Sequence, residues 1–240
     1  MFRKILLLLA CSASLSATST HTLVVGTNAE FPPYCYIENG EIVGFDIDIA
    51  KEVAHRLEKE IQFKNMPFDA LIPDILLNHV DFVAAGMSYT EERAKRVSFT
   101  KPYLSEDPLV IFTTATKSIH SLDALKDKTV VVIEGFTADL LMSSKKGINL
   151  IRLPTQADGF MAIKSGRAAA FITAQSTVDA FFAIHEASQF HTTVIEETGE
   201  TCSLVVPKNK SKMLMDISQA LDEMESDGTL SKLKEKWKLK

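Results

Sequence analysis

The sequence predicts an α/β fold in two lobes joined by extended strands. Short apolar runs alternate with segments whose apolar residues recur at helical spacing, the signature of sheets flanked by helices. After "PLVIFTT" (residues 108–114) the alternation starts afresh, which makes two series, each too small for a large domain. No Pro/Gly/Ser-rich linker divides them, so the crossings are themselves strand-like, near residues 110–114 and 195–204. Strand crossings suit a hinge, with a cleft that closes on a ligand beyond the strand ends.

In the first series "LVVGT" (23–27) reads as a buried strand, and "FDIDIAKEVAHRLEKE" (45–60) as a helix burying Ile47, Ala50, Val53, Ala54 and Leu57. Strand "IQFKN" (61–65) follows, then helix "FDALIPDILLN" (68–78), where Pro73 is tolerated in a first turn. Strand "DFVAA" (81–85) and helix "TEERAKRV" (90–97) complete it. The second series opens with the short helix of "SLDALKDK", capped by Ser121, and strand "TVVVI" (129–133). Helix "TADLLMSSKK" then ends at Gly147. Strands "INLIRL", "AAAFIT" and "HTTVI" alternate with the helices of "QADGFMAIKSG" and "AQSTVDAFFAIHEA". Strand "SLVVP" (203–207) leads into two helices, "SKMLMDISQALDEMES" and "TLSKLKEKWKL", broken at Asp227–Gly228. Trp237, in the last of them, reads as a packing residue.

Across the 240 residues, hydrophobic content of 46% and charged content of 24% are those of a globular chain. A formal charge of −5 and no clustered basic face exclude a nucleic-acid partner. The start, "MFRKILLLLACSASLSATST", has a basic Arg3–Lys4 and an apolar run far short of the roughly 20 residues of a membrane span. It reads as an export signal over residues 1–20. Its "LLAC" box resembles a bacterial lipoprotein signal, which makes Cys11 a lipidation candidate; a plain cleaved signal is the alternative. Cys35 and Cys202 then remain, either as a pair or as two separate thiols. No CxxC or HExxH motif is present, His185 and His191 are too loosely spaced to share a helix face, and no metal or cofactor is expected.

The chemistry concentrates in "AAGMSYTEERAKRVSFT" (84–100). A strand ends at Gly86, hydroxyls follow, and Ser88 with Glu91 fits a capping box. Arg93 falls in the first helical turn, where a cation opposes the helix dipole but can fork onto a carboxylate. An exposed Arg93 paired with a nearby Glu is the other reading of these residues. "TVVVIEGFTADLL" repeats the pattern in the second series, with Thr137 as the cap. Two such junctions, one per lobe, would grip one small anion. Phe31 and Phe68 stand at strand ends, where rings flank a ligand side chain or serve the core.

The stretches "VVGTNAEFPPY", "IVGFDIDIAKEVA", "FDALIPDIL", "DFVAAGMSYTEERAKRVSFTKPY" and "SDGTLSKLKEKW" together resemble the periplasmic polar-amino-acid-binding proteins of ABC importers, above all arginine binders such as those of chlamydiae. The resemblance implies a type II periplasmic-binding-protein fold, each lobe a mixed sheet flanked by helices, with a strand hinge. It places residues 21–112 and 203–240 in lobe 1 and 113–202 in lobe 2. It also implies a monomer in the periplasm or cell envelope, serving an ABC permease in the inner membrane. By that likeness Arg93 binds the α-carboxylate of an amino acid with Ser88 and Thr137. The backbone at Ala85 and Gly86 accepts from the ammonium, Phe31 and Phe68 flank the side chain, and Asn28 and Asp46 line its pocket. The sequence departs from that pattern where many members carry an acid for the ammonium. Thr173, Ala174 and Gln175 stand there, which leaves amide and hydroxyl oxygens. Ala138 also replaces a common Gln. A cationic ligand side chain needs a carboxylate, for which Asp46, Glu30 and Glu134 are candidates. Two other readings stand beside the transport protein: a cyclohexadienyl-dehydratase-like enzyme with Glu134 as general acid, and a ligand-sensing receptor module.

Overall fold

A computed structural model describes residues 22–239. The export-signal reading and Cys11 lie outside the described residues. Two five-stranded mixed sheets organise the chain. In the first, Leu23–Thr27 lies between Ile61–Asn65 and Phe82–Val83, parallel to both. Val205–Pro207 then runs antiparallel between Phe82–Val83 and Val97–Phe99. In the second, Thr129–Ile133 lies parallel between Asn149–Leu153 and Ala170–Ala174. Leu109–Thr114 adds antiparallel to Ala170–Ala174, and Phe190–Val194 closes the edge. The continuous apolar runs became central strands covered on both faces: every residue of Ala170–Ala174 is buried.

Helix Phe45–Arg56 buries Ile47, Ile49, Ala50, Val53 and Ala54 in the core that also holds Val25 and Phe82 of the first sheet. Pro73 is the third residue of helix Leu71–Leu76, where its missing N–H costs no intrahelical bond. Helices Ser211–Ser226 and Thr229–Lys236, separated by a left-handed Gly228, return to the first lobe. There the Trp237 indole donates to Asp48 at 2.8 Å and meets Tyr36 edge-on.

Three expectations change. Leu109–Thr114 belongs entirely to the second sheet, so a lobe boundary at 112/113 would cut a buried strand. The crossing lies earlier, where Leu104–Asp107 pairs antiparallel with Glu200–Cys202. The helix after Thr90 is one turn, Glu91–Ala94, because Val97–Phe99 is drawn into the ladder with Val205–Pro207. A small sheet of Glu30–Phe31, Cys35–Glu38 and Glu41–Val43 adds to the first lobe. Its hairpin turns at Asn39–Gly40, both with positive φ.

Candidate functional site

Both strand–loop–helix junctions meet at the seam between the lobes. In the first, the Thr90 hydroxyl accepts from the Arg93 N–H at 3.1 Å, so Thr90 caps the turn and Ser88 does not. Ser88 is buried and tied to the crossing strand: its hydroxyl donates to Thr201 O at 2.9 Å and accepts from Thr201 N at 3.1 Å. With only one helical turn behind it, the junction has little dipole, and its affinity for an anion rests on Arg93 itself.

Arg93 is 6% exposed and crosses the seam. Its guanidinium donates to Ser88 O at 2.6 Å in its own lobe and to Gly135 O at 2.9 Å in the other. It lies 5.3 Å from the centre of the Phe68 ring. Burial lowers its pKa, and the nearby carboxylates of Glu200 and Glu92 oppose that shift.

The second junction is Gly135, Phe136 and Thr137. Thr137 is the first helical residue of Thr137–Ser143 rather than its cap, which is Phe136. Thr137 is half-buried, and its hydroxyl oxygen has no hydrogen-bond partner. Asp139 braces this loop, accepting from Gly135 N at 3.1 Å and pairing with Arg152 at 2.9 Å. The Phe136 ring enters between the two aromatic residues of the first lobe. Its centre is 4.2 Å from that of Phe68 and 5.3 Å from that of Phe31. Phe31 also rests on Gly86, where a Cβ would come within 2.7 Å of its ring.

A buried acid that no sequence motif marks also stands at this seam. Glu200, on the crossing strand, is 7% exposed and lines a cavity of about 10 Å³ with Thr173, Ala174, Gln156 and Phe136. Burial pushes its carboxyl up to about 8, repulsion from Asp107 adds to the rise, and Arg93 works against it. Asp107, opposite Glu200 in the ladder, is committed elsewhere: it accepts from the Tyr34 hydroxyl at 2.9 Å and from the Ser176 N–H at 3.0 Å. Nothing local in "TGETC" marks Glu200, because its position comes from pairing with a strand far back in the chain.

The other predicted residues make contacts of their own. The Asp46 carboxylate is fully buried beneath the loop and accepts from Gly86 N, so it supports the loop instead of lining a pocket. Its burial follows from the first turn of its helix, whose Asp46 N–H bonds Tyr34 O at 2.9 Å. Burial pushes its carboxyl up to about 6. The Asn28 amide donates to Met66 O at 3.2 Å. Gln175 turns along its own helix to Asp179 at 2.7 Å. Ala85 is fully buried. Glu134 is exposed. Glu30 lines a groove of about 520 Å³ between the lobes, with Pro32, Gln156, Phe160 and Phe181. Cys35 and Cys202 are separate buried thiols. Among the described residues, no helix is long and apolar enough to cross a membrane.

Residues 23–240 match the bacterial extracellular solute-binding proteins, family 3. The chain is 32% identical over 235 residues to an arginine-binding extracellular protein of Bacillus subtilis, covering 96% of this chain and 92% of that one. It is 31% identical over 258 residues to an L-cystine-binding protein of the same organism, covering 99% and 93%. Its fold superposes on an ancestral arginine-binding protein bound to arginine with a TM-score of 0.85 at 37% identity, covering 90% of this chain and 97% of that one.

Proposed function

The chain belongs to the bacterial extracellular solute-binding proteins, family 3, amino-acid-binding components of ABC transport that work outside the cytoplasm; from that premise we propose that it captures arginine in the interlobe seam and delivers it to a permease. The observation that carries the reading is a buried cation and a buried carboxyl together at the seam, Arg93 and Glu200. Among the described residues Arg93 bonds to carbonyl oxygens and to no carboxylate. A buried cation and a buried acid, near each other but unpaired, are costly alone and complement an α-amino acid, which carries both charges. Arg93 takes the α-carboxylate. Glu200 takes the α-ammonium, in place of the acid absent after Thr173. Ser88 and Thr137 sit beside the carboxylate, and Phe31 and Phe68 flank the side chain. Of the three carboxylates considered for a cationic side chain, Glu30 is the one that lines the interlobe groove. Lipid anchoring through Cys11 and a monomeric state belong to the same reading.

Titration calorimetry with a panel of amino acids tests it. Arginine is expected to bind far below millimolar, where the free energy is only about 4 kcal/mol. Arg93→Ala should weaken it by roughly 1.5–3 kcal/mol through the lost charge-assisted bonds. If no amino acid binds more tightly than millimolar, the reading fails.

One observation favours an enzyme instead. Glu200, held at about 8, is a carboxyl that keeps its proton near neutral pH, as a general acid must. A prephenate turnover assay separates the two: sustained product formation that Glu200→Gln abolishes would replace capture with elimination.

A further inference from the structure

We propose that Phe136 sets the ligand's size and affinity by competing with the ligand side chain for the space between Phe31 and Phe68. The proposal rests on the amino-acid reading above. Its evidence is the position of the ring. Phe136 comes from the second lobe, is 7% exposed, and lies against both first-lobe aromatics, 4.2 Å and 5.3 Å from their centres. Phe68 in turn carries the Arg93 guanidinium on its face, 5.3 Å away. A side chain leaving an α-carbon between Arg93 and Glu200 would meet this ring first, because Phe136 also lines the cavity beside Glu200.

Beside Glu200 the ring leaves no room for a large side chain, although wider openings flank it at Arg93 and at Glu30. The cavity of about 10 Å³ is near the smallest that holds one water, and arginine is many times larger. The loop backbone is already engaged: Gly135 O, one residue before the ring, accepts from Arg93 at 2.9 Å. The loop thus grips the cation through its carbonyl and fills the aromatic slot through its side chain, holding the two lobes as a ligand would. A large side chain that takes the slot between Phe31 and Phe68 must turn the ring out, whereas that of glycine or alanine leaves it in place. Intramolecular competition of this kind multiplies the dissociation constant of the large ligand by the inverse of the fraction with the ring displaced.

Calorimetry of Phe136→Ala and Phe136→Leu against wild type, with L-arginine and L-alanine as probes, tests this. Arginine should bind at least tenfold more tightly to Phe136→Ala, with Phe136→Leu intermediate, while L-alanine changes less than threefold. The leucine variant retains apolar volume, so it keeps the test open if the alanine variant unfolds. Unchanged or weaker arginine binding in both variants, with wild type still binding, overturns the proposal and leaves the amino-acid reading standing. No binding of either probe to any of the three proteins overturns both. A lower melting temperature without a gain in arginine affinity marks Phe136 as a packing residue and also overturns the proposal.

Discussion

Glu200 is where a single residue carries the most consequence. Its carboxyl is held at about 8, above its ordinary 4.5, so near pH 7 it is mainly protonated. An ammonium placed beside it favours the charged form, and binding therefore expels a proton. Affinity should rise as pH increases from about 6 to about 8, then level off once the free protein is already ionised. Calorimetry in two buffers of different ionisation enthalpy should show release of close to one proton per ligand at pH 7. Glu200→Gln should abolish that release and weaken binding. A wild-type enthalpy independent of buffer would remove Glu200 from the ammonium site. Arg93 was legible in the sequence as a cation at an awkward place, and Glu200 was not, because an isolated acid in a polar segment has no pattern.

The loop Ala84–Thr90 shows how an element is held to shape for a site. Gly86 has φ of +59° and lies under Phe31, where a Cβ would be 2.7 Å from the ring. Asp46 accepts from its N–H below. Alanine there meets both a left-handed backbone and an overpacked contact, each worth roughly 1–3 kcal/mol. Gly86→Ala should lower the unfolding free energy by about 2 kcal/mol or more in denaturant titration; a loss under about 0.5 kcal/mol would mean the loop relaxes without strain. A strand before Gly86 could be read from sequence, although it covers only Phe82–Val83 of the "DFVAA" run, and so could a hydroxyl cap for the turn that follows. Which hydroxyl does the capping could not. Ser88 was the better match to a capping box, but Thr201, distant in sequence, claims it and leaves the role to Thr90. The "ENGE" hairpin, by contrast, is signalled by Asn39–Gly40, but its strands are too short to show an alternating pattern.

At the scale of the whole molecule, the buried acids tie stability to pH. Folding raises Glu200 from 4.5 to about 8 and Asp46 from 3.8 to about 6. Between about 4 and about 8 the native protein holds protons that the unfolded chain has released, so stability falls as pH rises through that window. Asp227, held at about 2, and Asp74 act in the opposite sense, but only on the acid side of pH 4. The melting temperature of the protein without added ligand should be lower at pH 8.5 than at pH 5.5. A flat or rising profile would mean that these carboxyls are better solvated than their burial implies. Arginine should offset the loss at the alkaline end, since Glu200 then ionises beside a cation.

The sequence by itself determined the fold class, the two α/β series, the strand connection between them and the loop that carries Arg93. Those features are written in local periodicity, and burial of apolar runs enforces them. Only the tertiary structure decided what fills the seam. It set Phe136 between Phe31 and Phe68, put Glu200 at the seam near Arg93, moved Asp46 beneath its loop, and shifted the crossing to Leu104–Asp107. Each depends on contacts between distant parts of the chain, as Ser88 and Thr201 are 113 residues apart. Burial, charge repulsion and competition for one volume act through space, and no local pattern of residue types records them.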